Sequence, residues 1–143
     1  MEKEIRILPM SKKEEFPEWD YAQMQIYFFM GKLKQIKKYR YHSKKMTPPP
    51  GSIVLFQFDN QIIASAVYLD TIEETYDDYN GYYKFDIDSI KIFNPIQKDE
   101  LIEELQLDKK FKFGQGLQNL QSEMYSKDEL IDKIKILISK KIY

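Results

Sequence analysis

The feature that most constrains this chain is a run of three prolines and a glycine, followed by two apolar segments. Proline cannot donate to a sheet ladder and glycine permits a sharp bend, so residues 47–51 predict a turn. Residues 52–58 (SIVLFQF) then predict a strand, residues 59–61 a hairpin turn, and residues 62–70 (IIASAVYLD) the returning strand. The small side chains of residues 64–66 would let a helix or a ligand pack closely against that strand.

Patterns on both sides of this hairpin predict the remaining elements. Alternation of apolar and polar residues predicts further strands at residues 4–9, 39–42, 81–87 and 89–93. Apolar spacings of three and four predict helices at residues 15–37, at residues 99–105, and after the capping box that Ser126 and Glu129 form. We therefore expect one α+β domain over residues 1–143, a small barrel-like sheet of about five to six strands flanked by an N-terminal helix and C-terminal helices.

Composition argues against most catalytic chemistry. The chain has no cysteine, which excludes disulfides, a thiolate nucleophile and a cysteine-built zinc site. Its single histidine, His42, argues against a histidine-rich metal site and a serine triad. Nucleotide-binding, zinc-protease and hydrolase motifs are all missing from the sequence. We expect a binding module that is not an enzyme and requires neither a cofactor nor a metal.

The hydropathy pattern bears on location. No stretch approaches the roughly 20 apolar residues that a membrane helix needs. The first four residues, MEKE, are not followed by the apolar core of a signal peptide. These patterns predict a cytoplasmic protein.

The net charge of −1 conceals two segments of opposite sign. Residues 21–58 contain no acid, and their bases are Lys32, Lys34, Lys37, Lys38, Arg40, Lys44 and Lys45. Residues 70–88 contain one base, Lys84, and their acids are Asp70, Glu73, Glu74, Asp77, Asp78, Asp86 and Asp88. A basic face can bind a polyanion although the total charge is near zero, whereas solvated surface is the simpler interpretation of both runs.

Aromatic residues near the basic run are the first candidates for a site. Trp19 and Tyr21, at the start of the predicted helix, could wall a pocket for a flat ring, or Trp19 could instead staple the helix to the sheet. Tyr82 and Tyr83 point to opposite faces of a strand, so one can be core while the other is exposed. Exposed rings on which bases stack, beside cations that neutralise phosphates, are typical of nucleic-acid binders.

Residues 111–120 (FKFGQGLQNL) are a second candidate. Their two glycines allow sharp turning, and the amides of Gln115, Gln118 and Asn119 can pair with a base edge or with the backbone. The alternative is that this segment caps the sheet before the last helix.

Several of these segments resemble a known superfamily. Residues 50–56 and 62–67 resemble a hairpin of PUA-like domains. Residues 82–96, followed by a short acidic helix and by residues 113–118 (FGQGLQ), are similar to the second half of the EVE and ASCH branches of that superfamily. The resemblance covers roughly residues 47–121.

The resemblance implies a non-catalytic pseudo-barrel that binds nucleic acid, in several branches by taking one modified base of DNA into an aromatic pocket. It also implies a restriction or defence setting, with a nuclease or ATPase as partner. Carried onto this chain, it nominates as base-pocket residues Trp19, Tyr21, Ser65, Tyr82 and Gln115. It nominates as phosphate contacts Lys37, Lys38, Arg40 and Lys44.

Two alternatives stay open. The same fold could bind RNA. The acidic residues 70–88 could instead dock on a basic protein partner, which would make the chain a protein-interaction or inhibitor module.

Overall fold

The computed structural model describes residues 2–12, 16–42, 45–114 and 116–143. A mixed sheet has the strand order β2-β5-β4-β3-β1-β6. Its strands are β1 (Ile5–Met10), β2 (Tyr39–Tyr41), β3 (Ile53–Phe58), β4 (Gln61–Tyr76), β5 (Tyr79–Ile96) and β6 (Gln118–Asn119). The helices are α1 (Tyr21–Gln23), a π-helical stretch (Met24–Lys32), α2 (Leu33–Ile36), α3 (Lys98–Leu105) and α4 (Lys127–Lys141). Among the described residues, no helix has the length and apolar character needed to cross a membrane.

The sheet confirms the predicted α+β class, as a half-barrel flanked by helices. β1 runs parallel to β3, and β3, β4 and β5 pair antiparallel. The ends of the strand order, β2 and β6, pair with β5 and β1 and not with each other within the described chain. A short β2 and a two-residue β6 leave the sheet open along those edges.

The central hairpin forms where the sequence predicts it. Asp59 and Asn60 both take left-handed backbone angles (φ 53° and 62°), which a tight turn between twisted strands requires. The acidic residues after position 70 predict a strand that continues and then becomes a loop, and β4 indeed continues to Tyr76 before the turn at residues 77–78. β5 spans two strands that the sequence predicts as separate. Residues 87–90 form a bulge between its two paired stretches, at the register shift between Ser65 and Val67 of β4.

Each face of the sheet carries its own core, because successive strand residues point to opposite sides. On one face, the α1 face, Phe56 and Tyr83 pack with Phe29 of the helical segment 21–36. On the other, the α4 face, Leu55 and Phe93 pack with residues of α3 and α4. Fully burying one such side chain is worth about 1.5–3 kcal/mol.

The helical segment on the α1 face starts and ends at polar signals. Asp20 caps it in a box with Gln23, and Lys37 ends it with φ 62°. The predicted start at residue 15 is too early, and residue 15 itself lies outside the described residues. Gln25 is buried and its Nε2 donates to the carbonyls of Ile63 (2.9 Å) and Phe93 (2.7 Å), which ties the helix to the sheet.

Two other predictions are confirmed. Ala64 and Ala66 leave room on the α1 face for the helical segment, which is the bulky neighbour that the small residues suggested. Ser126 and Glu129 form the predicted capping box at the start of α4.

Candidate nucleic-acid interface

The outer half of the β4–β5 hairpin brings the basic and acidic runs together. Arg40 of β2 lies opposite Tyr82 of β5, and Tyr82 lies opposite Ile72 of β4. Pairing across three strands therefore places side chains from both charge runs on one patch. We call this patch the hairpin surface, and it consists of Lys38, Arg40, Glu74, Tyr76 and Tyr82.

The cations of the hairpin surface lie on aromatic rings. The guanidinium carbon of Arg40 is 4.0 Å from the ring centroid of Tyr76 and 5.8 Å from that of Tyr82. Nζ of Lys38 is 4.7 Å from the ring centroid of Tyr82. At these distances the ring quadrupole attracts the cation. Tyr76 is 57% exposed and Tyr82 is half-buried, so ring area stays open to solvent.

One carboxylate neutralises part of this patch. Oε1 of Glu74 is 3.3 Å from Nη1 of Arg40 and 3.9 Å from Nζ of Lys38. Beside it, Lys45 forms an ion pair with Glu73, and their hydrogen bond raises the pKa of Lys45 and lowers the pKa of Glu73. The basic and acidic runs, which are separate in the sequence, are thus partly paired with each other in the structure.

Gly81 permits this close arrangement of strands. A Cβ at position 81 would lie 2.6 Å from the hydroxyl of Tyr41 and would overlap the carbonyl of Ile72. Only glycine lets β2 and β4 approach β5 this closely at that point.

A hydroxyl network on the opposite side of β5 anchors the chain after β2. The hydroxyl of Tyr83 accepts a hydrogen bond from the amide of Met46 (3.2 Å), and Oγ1 of Thr71 donates to the Met46 carbonyl (2.7 Å). Burial raises the pKa of Tyr83 to about 12. The hairpin surface therefore rests on a packed layer.

Trp19 and Tyr21 lie away from the hairpin surface. Trp19 is half-buried against the core of the α1 face, with its ring stacked on Phe16 at 5.4 Å and tilted towards Tyr27 at 5.9 Å. Because Tyr83 belongs to the α1-face core, its neighbour Tyr82 faces the other side. Trp19 and Tyr82 therefore do not wall one common pocket. Tyr21 begins α1 and is partly exposed.

Among the nominated phosphate contacts, Lys38 and Arg40 belong to the hairpin surface. Lys37 is exposed at the end of α2, one residue away. Lys44 and the nominated pocket residue Gln115 lie outside the described residues. Glu74 and Tyr76 are not among the residues that the sequence nominates for a nucleic-acid site, although a tight turn at residues 77–78 places both near Tyr82.

Ser65 lines a cavity of about 190 Å³ on the α4 face, which we call the Ser65 cavity. Its floor is the bulged part of the β4–β5 ladder, and α4 forms its opposite wall through Lys135 and Ile138. Lys91, which pairs with Ser65 across the ladder, also lines it. None of the nominated aromatic residues lines this cavity within the described chain.

Comparisons with known proteins bear on the fold. No protein-family model and no curated protein sequence matches the chain. The crystal structure of ASCH from Zymomonas mobilis is similar over 94% of this chain and 95% of that chain, with a TM-score of 0.56 and 12% identical residues. This confirms the ASCH-like, PUA-like α+β fold, whereas the EVE type and the restriction setting stay predictions.

Proposed function

We propose that this chain is a non-catalytic module that binds nucleic acid through the hairpin surface. The observation that carries the proposal is the stacking of Arg40 and Lys38 on the half-open rings of Tyr76 and Tyr82. Phosphates need cations and bases need flat rings, and this patch offers both side by side. The ASCH-like fold is compatible with such a module.

Binding by this patch would proceed through an exchange of partners. A phosphate group would take the place of the Glu74 carboxylate on Arg40 and Lys38. A base freed from its stack would then lie on the ring of Tyr76 or Tyr82, which is worth about 1–3 kcal/mol per base. Unpaired or readily flipped bases should therefore bind better than intact duplex.

The finer hypothesis is that the nucleic acid is DNA with a modified base, in a restriction or defence setting. The chain would supply recognition, and a nuclease or ATPase partner would supply cleavage. A base flipped for reading costs a few kcal/mol, which stacking and hydrogen bonds to its edge must offset.

A gel-shift panel tests this proposal with the full chain at low salt. The probes are unmodified, methylated and hydroxymethylated duplexes, the matching single strands, and RNA of equal sequence. Binding that weakens steeply with salt supports the proposal, and preference for one modified duplex supports the finer hypothesis. A preference for RNA would mean that the ligand is RNA and not DNA. No binding to any probe would refute the proposal.

One observation favours a protein partner as the second candidate. Asp77 and Asp78 form the turn at the tip of the long hairpin, and neither has an ion-pair partner among the described residues. If one basic protein co-purifies in equal amount and is lost when both aspartates are changed to lysine, while nucleic acid does not bind, this second candidate is correct.

A further inference from the structure

The Ser65 cavity has the build of a small-molecule site separate from the hairpin surface. It lies between the sheet and α4, and a register shift opens the ladder at its floor. β-bulges are frequent beside binding and active sites because they redirect side chains and interrupt pairing. At about 190 Å³ the cavity is smaller than the pockets that hold drug-sized ligands, so it suits a single ring or a short acyl chain.

The hydroxyl of Ser65 opens onto the cavity and has no hydrogen-bond partner within the described chain. Ser65 is 4% exposed, and its Oγ forms no hydrogen bond with any described residue. A hydroxyl can donate one hydrogen bond and accept two, so a ligand can be bound in either sense. The neighbouring Ser89 differs, because its Oγ already accepts from the amide of Val67 (2.7 Å) and donates to the carbonyl of Asp86 (2.6 Å).

The cavity combines apolar walls with unpaired cations. Ile53, Val67 and Ile138 supply aliphatic surface. Lys91 and Lys135 are exposed on its rim, and neither forms an ion pair with a described residue.

The two acids at the bulge, Asp86 beside it and Asp88 within it, form no ion pair with these lysines or with any other described residue. The carboxylate of Asp86 accepts a hydrogen bond from the amide of Asp88 (3.1 Å). The rim of the cavity therefore keeps two positive charges available to a ligand.

We infer that the Ser65 cavity binds a small organic anion with a compact apolar body, of the class of single-ring or short-chain carboxylates and phosphate monoesters. The apolar body fills the space between Val67 and Ile138. The anionic group lies at the rim between Lys91 and Lys135. The hydroxyl of Ser65, which pairs with Lys91 across the ladder, donates to an oxygen of the anionic group.

Four probes separate the features of this inference in a titration of the full chain, ¹⁵N-labelled and followed by NMR. Benzoate and phenyl phosphate carry both an apolar ring and an anionic group. Benzyl alcohol carries only the ring, and inorganic phosphate carries only the charge. We expect saturable shifts of the Ser65, Val67 and Ser89 amides with the first two probes, with dissociation constants of about 1 mM for ligands this small.

Two surface variants on α4 serve as a test and its matched control. Lys135→Gln should weaken benzoate binding several-fold, whereas Lys140→Gln removes the same charge from α4 outside the cavity and should leave it unchanged. Ser65→Ala should weaken the binding of phenyl phosphate or benzoate, and the variant should stay folded.

Three results would overturn the inference. They are no saturable shifts with benzoate and phenyl phosphate, equal shifts with benzyl alcohol or inorganic phosphate, and equal effects of Lys135→Gln and Lys140→Gln. The titration contains no nucleic acid, so its outcome is independent of the function proposed for the hairpin surface.

Discussion

The hairpin surface and the Ser65 cavity both present lysine or arginine, and they differ in what surrounds the cations. On the hairpin surface, Arg40 and Lys38 share the carboxylate of Glu74 and lie on tyrosine rings. At the cavity, Lys91 and Lys135 have no such partner in the described chain, and the walls are aliphatic. The first environment suits an extended polyanion that can displace a carboxylate and stack its bases. The second suits one small anion.

A chain of net charge −1 can still present cations to an anion. An exposed ion pair such as Arg40–Glu74 is worth only about 0–1 kcal/mol, so a phosphate can replace the carboxylate at little cost. The ion pair with Glu74 therefore lowers the affinity of the hairpin surface for a phosphate without preventing its binding.

The largest effect should follow from removing the two rings. Tyr76→Ala with Tyr82→Ala deletes the stacking surface, so affinity for single-stranded nucleic acid should fall at least about tenfold, since each stacked base is worth about 1–3 kcal/mol. Tyr27→Ala is the matched control, because Tyr27 is an exposed tyrosine on the helical segment of the α1 face. Fluorescence anisotropy measures both. An equal loss of affinity in the control would mean that the rings of the hairpin surface have no specific role in binding nucleic acid.

The next effect concerns Trp19, which is half-buried against the core of the α1 face. Trp19→Ala removes the stack on Phe16 and should lower the free energy of unfolding by about 2 kcal/mol, less than for a fully buried tryptophan. Urea denaturation measures this loss. Affinity for nucleic acid should stay unchanged at a temperature where the variant is folded. Weaker binding by a fully folded variant would restore Trp19 as a pocket residue.

A smaller effect, of opposite sign, should follow from Glu74→Gln. This change frees Arg40 and Lys38 from the carboxylate, so nucleic-acid affinity should rise about two- to fivefold. Asp99→Asn on α3 removes the same charge far from the hairpin surface and serves as the control. Lower affinity of the Glu74 variant would show that the carboxylate is needed to position Arg40 and is not a competitor.

The last effect concerns pH and the layer behind the hairpin surface. The pKa of Tyr83 is raised to about 12, so between about pH 10 and pH 12 the unfolded chain loses this proton while the folded chain keeps it. Stability should therefore fall as pH rises through that range. Urea denaturation of the wild type and of Tyr83→Phe, which has no such proton, measures the difference. Identical pH profiles would contradict the role of Tyr83.

Much of the fold could be predicted from the sequence because its signals are local. The turn at Asp59 and Asn60, the capping box at Ser126 and the alternation in β3 each depend on a few neighbouring residues. The merging of two predicted strands into β5 could not be predicted, because the bulge at residues 87–90 depends on how β4 pairs with β5.

The site was harder to predict because it depends on contacts between distant residues. Alternation separates Tyr82 from Tyr83, but it does not say which of them faces the helical segment 21–36 and the neighbouring Trp19. The pairing of Tyr39 with Tyr83 brings the two charge runs together, and nothing local in either run signals it. Lys135 reaches the Ser65 cavity only through the packing of α4 on the sheet.

The salt dependence of nucleic-acid binding tests the central claim most directly, namely that the hairpin surface contacts phosphates. Wild type is compared with two double variants. The first combines Lys38→Gln with Arg40→Gln, and the control combines Lys133→Gln with Lys140→Gln, which removes two charges from α4. We expect the slope of log K against log salt for a single strand to become shallower by about 1.4 in the first double variant and to stay unchanged in the control. An unchanged slope in the first variant, or equal changes in both, would contradict the account.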